Sequence, residues 1–206
     1  MSVWAKHVLP RLVEVACRGE AIAEERARLV PRAHGDVLEI GIGSGLNLAH
    51  YDPRRVRSLA GIDPSRELLD RALERAKATD VRVDLVEATA EKLPFGDSTF
   101  DSAVVTYSLC SVDDPDRALA EVRRVLRPGA ELFFLEHGLA RDRSTQAWQR
   151  RLTPAWSFVG GGCHLDRDVE RELRGAELDV VELKAEHGDG AKWLSFTYEG
   201  VARKPT

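Results

Sequence analysis

The chain has 206 residues, the size of one domain, and its 43% hydrophobic and 31% charged content suits a packed core rather than a disordered or fibrous chain. Its 30 basic side chains against 34 acidic ones leave a net charge of −4, which excludes a protein that grips nucleic acid by backbone charge alone. Three widely separated cysteines, Cys17, Cys110 and Cys163, with no CxxC, argue on spacing against a disulfide scaffold or a zinc module and point to a reducing compartment.

Residues 1–30 read as helical: Val8, Leu12, Val15 and Ala16, and then Ala23, Ala27 and Val30, recur at helical spacing, with Pro10 and Gly19 dividing the region. A short apolar strand, Val37-Leu38-Glu39-Ile40, runs into Gly41-Ile42-Gly43-Ser44-Gly45, and a helix is expected after these glycines. The strand Ser58–Ile62 leads to Asp63-Pro64-Ser65, then a helix with Leu68, Leu69, Ala72, Leu73 and Ala76 on one face. Val81–Val86 alternates like a half-covered strand, whereas Ala103-Val104-Val105 is continuous, as in a strand covered on both faces. Asp113-Asp114-Pro115 opens a helix carrying Ala118, Leu119, Val122, Val125 and Leu126, closed by Pro128-Gly129. Glu131–Leu135 is a further central strand, and Asp179–Leu183 and Leu194–Tyr198 lie too close together for a crossover helix. The alternation from 37 to 137 calls for a parallel sheet with helices on both faces, closed at one edge by an antiparallel hairpin. No apolar run approaches the ~18 residues that span a bilayer, and the first twenty residues are too charged for a signal peptide, so a cytoplasmic protein without membrane insertion is expected.

In an open α/β sheet a ligand sits beyond the carboxyl ends of the strands. Gly41, Gly43 and Gly45 let the chain turn tightly there, and Asp63, 22 residues past Gly41, can accept hydrogen bonds from both hydroxyls of a ribose. Glu39 stands inside an otherwise apolar strand, where an acid is costly unless it meets an amine or a cation. Two ligands fit this set, a nicotinamide dinucleotide and S-adenosylmethionine. Leu46 occupies the sixth position, where the dinucleotide pattern has glycine, and Glu39 suits an ammonium better than a pyrophosphate, so the balance favours S-adenosylmethionine. An NAD(P)-binding oxidoreductase or a non-catalytic nucleotide-binding module is the competing reading.

The segments VLEIGIGSG, GIDPS, ATAEKLPF, FDSAVVTYSL and LRPGAELFFLEH, in this order, resemble the class I S-adenosylmethionine-dependent methyltransferases over residues 36–138. LCSV, EVRRVLRPG, LEHG, LTPAW, GGCHL and YEGVARK extend the likeness to the methyltransferase-like family of alkyl thiol methyltransferases and their bacterial cousins, and more distantly to the ubiquinone/menaquinone C-methyltransferases. The mammalian members of that family begin with a hydrophobic anchor, so membrane association is not carried over to this charged start. The resemblance implies one α/β domain with a doubly wound, Rossmann-like sheet: a helical cap over 1–30, a cofactor core over 36–138, a substrate cap over 139–166, and a final helix and hairpin over 167–206. It implies S-adenosylmethionine as cofactor. Glu39, Gly41, Ile42, Gly43, Ser44 and Gly45 would meet its methionine part, Asp63 its ribose, and Thr89-Ala90 its adenine, with Asn47 and Pro64 completing the set. Many relatives carry an acid or Asn in place of Thr89, which leaves Glu91 or a backbone carbonyl to hold the adenine amine. Thr106 would face the sulfonium region, with Tyr107 beside it.

Methyl transfer is an in-line displacement that gains most from holding the reactants in near-attack geometry. A thiol acceptor with pKa ~8.5 needs no strong base, and the sequence offers neither a Ser-His-Asp set nor paired carboxylates. The first expectation is therefore a small thiol, with a phospholipid amine or a quinone-like carbon second. His137, His164 and Tyr107 are the candidate catalytic groups, each weighed against an ordinary structural role. Cys110 reads as a buried structural thiol, and Cys163-His164 lacks further ligands at metal spacing. Trp4, His7, Trp148 and Trp156 are candidates for a cap over the methyl group, with core packing favoured for Trp148. Arg141, Arg143, Arg150 and Arg151 read as a solvated helix face. The partner expected is a small molecule rather than nucleic acid, and the oligomeric state is left open.

Overall fold

A computed structural model describes residues 19–206. Trp4, His7, Pro10 and Cys17, and the helical stretch expected from Val8, Leu12, Val15 and Ala16, lie outside the described residues. Helix α1 (Glu20–Leu29) precedes strand β1 (Gly35–Ile40), β2 (Val56–Asp63), α2 (Arg66–Ala76), β3 (Val83–Glu87), β4 (Phe100–Thr106), α3 (Pro115–Val125), β5 (Leu126–His137), α4 (Arg143–Val159), α5 (Val169–Gly175), β6 (Asp179–His187) and β7 (Phe196–Arg203). The strands form one sheet in the order β3-β2-β1-β4-β5-β7-β6. The first five are parallel, and β7 runs antiparallel between β5 and β6. The closing hairpin is thus the edge expected from the sequence, and the order reverses between β1 and β4.

Alternate residues of the central strands feed two separate cores, because successive side chains point to opposite faces. Leu38, Ile40, Val105, Leu132 and Phe134 pack with Leu119 and Val122 of α3 on one face. Val37, Val104, Phe133 and Leu135 pack with Leu29, Val30 and Leu69 on the other. Two buried faces account for the uninterrupted apolar runs. The helix starts are set by local chemistry: Ser65 caps α2 and Asp114 caps α3, whose first residue is Pro115.

Three expectations are corrected. The glycine turn is followed not by an α-helix but by a single 3₁₀ turn, Leu46–Ala49. The reason is that Asn47 and Tyr51 turn inward onto Glu39 and Pro53 follows at once. Helix α3 ends at Val125 rather than at Pro128-Gly129, since Leu126 already pairs with Phe100 as the start of β5. Trp148, expected in the core, is 57% exposed, because α4 buries Thr145, Gln149 and Thr153 instead. Arg141, Arg143, Arg150 and Arg151 are exposed, as expected of a solvated face. Among the described residues no helix is long and apolar enough to cross a membrane.

At the amino ends of the strands, Arg57 donates to Asp36 (2.9 and 2.5 Å) and to Asp101 (2.8 Å), and Arg127 also binds Asp101. This ion cluster ties β1, β2, β4 and β5 together on the side away from the cavity described next.

Candidate cofactor and acceptor site

The carboxyl ends of β1, β2 and β4 surround a cavity of about 660 Å³, within the range of small-molecule sites. The glycine loop contributes Gly41, Ile42, Gly43 and Ser44 to its wall, next to Glu39 and Asn47. Asp63 and Pro64 line it from the end of β2, and Thr89, Ala90 and Glu91 from the chain beyond β3. Thr106 and Tyr107 close it at the end of β4. Thirteen of the fourteen positions expected to hold the cofactor therefore share one wall. The exception is Gly45, whose left-handed φ of 80° serves packing: a Cβ there would lie 3.2 Å from the Ala72 backbone and 2.7 Å from Leu48. Gly43, by contrast, has φ 55° and faces free space, with only the Gly41 carbonyl oxygen within 4 Å of a built Cβ. The cradle is backbone, open towards the cavity.

Two acids define its polar end. Glu39 is 1% exposed and accepts hydrogen bonds from Asn47 Nδ2 (2.9 Å) and the Tyr51 hydroxyl (2.9 Å). Burial pushes its pKa up to about 7, and these two bonds and the Arg26 charge only partly offset that. Asn47 also donates to Thr106 Oγ1 (3.0 Å), and its Oδ1, buried, has no hydrogen-bond partner among the described residues. Asp63 accepts from the amides of Gly43 (3.0 Å) and Ser65 (2.8 Å), which spreads its carboxylate across the loop and leaves lone pairs for hydroxyl donors. Burial raises its pKa as well. Glu91 Oε1 accepts from the Asp113 and Asp114 amides (3.0 and 3.4 Å), so it braces the wall there.

The opposite end is organised around Tyr107, expected from the sequence, by Glu136, Glu25 and Arg26, whose roles were not. Glu136, fully buried, accepts from the amides of Ser108, Leu109 and Cys110 (2.8, 3.0 and 3.2 Å), holding the turn after β4 in place. Burial pushes its pKa to about 7 against those three amides. Tyr107 sits at φ 53°, a strained backbone for a bulky residue. Its hydroxyl donates to Glu25 of α1 (2.6 Å), and burial raises its pKa. Arg26 of α1 lines the cavity and lies 5.9 Å over the Tyr107 ring. Gly161 and Gly162, from the loop after α4, complete this end. Arg26 was hidden in the sequence because its helix showed only an apolar period.

His137 and His164 are not on the wall. The His137 ring packs behind Tyr107, 4.7 Å centroid to centroid. His164 is half exposed, 3.8 Å from Asp166, with its amide donating to the Cys110 carbonyl (2.7 Å). Trp156 packs edge-on against Trp193, away from the cavity. Cys163 pairs not with His164 but with His137 Nδ1 (Sγ to Nδ1 3.9 Å) and Cys110. The hydrogen bond between the two thiols holds the proton on Cys110, raising its pKa and lowering that of Cys163.

Residues 38–134 match the family model described as a methyltransferase domain. The chain is 34% identical over 151 residues to a thiol S-methyltransferase of Rattus norvegicus, covering 72% of this chain and 62% of that one, a little under two thirds of the relative's length. It is 35% identical over 150 residues to a phosphatidylethanolamine N-methyltransferase of Cereibacter sphaeroides, covering 72% of both. A solved S-adenosylmethionine-dependent methyltransferase of Methanosarcina mazei superposes with a TM-score of 0.66 at 24% identity, over 84% of this chain and 94% of that one, a likeness that shows the fold alone. The chain belongs to the class I S-adenosylmethionine-dependent methyltransferases. The family's cofactor, S-adenosylmethionine, fits what the cavity presents: an ammonium suits Glu39 beside the unpaired Asn47 Oδ1, and the open backbone at Gly43 admits close approach. The dehydrogenase reading gives way to this membership.

Proposed function

We propose that the protein transfers the methyl group of S-adenosylmethionine to a small thiol admitted at the Tyr107–Gly162 end of the cavity. Among the described residues the cavity wall carries no histidine or lysine, and that observation carries the reading. The Tyr107 hydroxyl, on that wall, is engaged by Glu25, and burial raises its pKa. An acceptor that must lose a proton of high pKa finds no help there, whereas a thiol is a few per cent ionised at neutrality without any. When bound, the cofactor supplies a methyl group activated by its sulfonium. The chain's own part is positional. Glu39 and Asn47 take the ammonium, Asp63 the ribose hydroxyls, and Thr89 and Ala90 the adenine. Tyr107, pinned by Glu25 and backed by His137, shapes the acceptor end and keeps water out of it, so catalysis rests on alignment.

The relative from Rattus norvegicus supports the thiol, and the one from Cereibacter sphaeroides supports a second reading, methylation of a phospholipid amine. Release of S-adenosylhomocysteine, measured with alkyl thiols, phosphatidylethanolamine vesicles and hydroquinones in parallel, separates them. Turnover with thiols well above the acceptor-free rate is expected. Turnover confined to the vesicles or to the hydroquinones overturns the thiol assignment.

A further inference from the structure

We propose that Cys110, His137 and Cys163 bind a divalent metal ion of borderline softness, zinc being the type, through two sulfurs and an imidazole nitrogen. Their three ligand atoms all lie within 4.8 Å of one another, and Cys163 Sγ to His137 Nδ1 is 3.9 Å. Zinc–sulfur bonds of ~2.3 Å and zinc–nitrogen bonds of ~2.0–2.1 Å in a tetrahedron place ligand atoms roughly 3.5–3.8 Å apart, so closure asks for side-chain shifts of at most about 1 Å. Two sulfurs and one imidazole are also the donor set this class of ion prefers over magnesium or calcium.

The ligands come from three segments far apart in sequence, and hydrogen bonds tie those segments to one another. The Cys110 amide is held by Glu136 and its carbonyl by the His164 amide (3.2 and 2.7 Å). His137 ends β5, pairs with Thr197 of β7 and packs on the Tyr107 ring. Cys163 follows Gly160-Gly161-Gly162 and bonds back to the Gly160 carbonyl (3.3 Å). Packing of small apolar thiols accounts for the burial of both cysteines, but not for an imidazole nitrogen turned towards them.

Three protein ligands leave one tetrahedral position, as at catalytic rather than structural zinc sites. Leu165, Trp156, Trp193 and Leu194 pack around the two cysteines on the far side. Ser111 Oγ, 3.6 Å from Cys110 Sγ, lines the cofactor cavity, as do Gly162 and Tyr107. The fourth ligand therefore enters from the cavity, as water or a soft donor. On binding, any proton still held by either sulfur leaves to solvent as two metal–sulfur bonds form, and two thiolates neutralise the ion, so what is buried carries no net charge.

The test is a cobalt(II) titration of the full chain, reduced and stripped with chelator. One equivalent is expected to bind with a thiolate-to-cobalt charge-transfer band and the visible absorption of tetrahedral cobalt, and zinc should displace it. Cys163→Ser and Cys110→Ser should abolish the charge-transfer band or weaken cobalt binding at least 100-fold, His137→Ala at least tenfold, and Cys17→Ala not at all. Circular dichroism monitors folding, and His137→Ala, changing a half-buried residue, carries the test if the cysteine variants misfold. Zinc should raise the Tm of the wild type and not that of His137→Ala. A reduced wild type that shows no such band at stoichiometric cobalt, a band unchanged in the variants, or a pair that forms only a Cys110–Cys163 disulfide overturns the site. Because metal binding is read directly, the outcome is independent of which acceptor is methylated.

Discussion

The two ends of the same sheet use acids in opposite ways. At the amino end, Asp36 of β1 is held at about 2 by hydrogen bonds from Arg57 and Ser58, and Asp101 shares Arg57 and Arg127. Three residues further along β1, Glu39 is pushed up to about 7 by burial, and at the end of β2 Asp63 is raised for the same reason. Neighbouring stretches of two strands thus carry acids whose charge is satisfied within the chain and acids whose charge is not. The satisfied ones tie strands together. The others hold an unmet demand for positive charge and hydroxyl donors, which a ligand supplies.

The comparison breaks first, and hardest, at Gly43. Gly43→Val puts a branched side chain into the open cradle at a φ of 55° that valine rarely adopts. Binding of S-adenosylhomocysteine, followed by titration calorimetry, should fall more than 100-fold while the circular dichroism spectrum stays that of an α/β protein. Retained affinity would remove the loop from the cofactor site. Asp63→Ala should cost less, since it deletes charge-assisted hydrogen bonds of ~1.5–3 kcal/mol, a loss of roughly ten- to 100-fold. A change below twofold would leave Asp63 only its bonds to Gly43 and Ser65.

Glu39 sharpens the contrast through pH. In the free protein its pKa lies at about 7, and an ammonium beside it favours the ionised form, lowering that pKa on binding. Affinity for S-adenosylhomocysteine should therefore rise with pH through about 7 and level off above it, with a proton released on binding below that point. Calorimetry in buffers of different ionisation enthalpy counts the proton. Glu39→Gln should bind several-fold more weakly and release none. A flat profile in the wild type would separate Glu39 from the ammonium.

Much of this was legible in the sequence because it is written in local pattern. The continuous runs of the central strands, the glycine turn and Asp63 after the second strand announce the sheet and one side of the cavity. The rest depends on contacts between distant segments. Arg26 is buried at the cavity from a helix whose apolar period, Ala23, Ala27 and Val30, includes an exposed Ala27 and does not mark it, and Glu136 acts by capping a turn 26 to 28 residues earlier. The helix expected after Gly45 yields to side chains drawn towards Glu39, a tertiary demand that overrides local preference. Cys110 and Cys163 are 53 positions apart, so spacing suggested two isolated thiols where the fold brings them together.

The smallest effect belongs to the satisfied end, and it tests whether the two ends are separate. Asp36 has a folded pKa of about 2, below its ordinary 3.8. Its contribution to stability is therefore present above about pH 4 and lost as pH falls towards 2. Its side chain is 27% exposed and the Arg57 partner 64% exposed, so solvent and salt screen the pair heavily. Asp36→Asn should lower the Tm at neutral pH by no more than about 2–4 °C, and the gap from wild type should close in acid and narrow in high salt. Affinity for S-adenosylhomocysteine should not change. If it fell together with the Tm, the amino-end cluster would be setting the position of the Glu39 carboxylate through β1, and the sheet would have to be treated as one electrostatic unit rather than two.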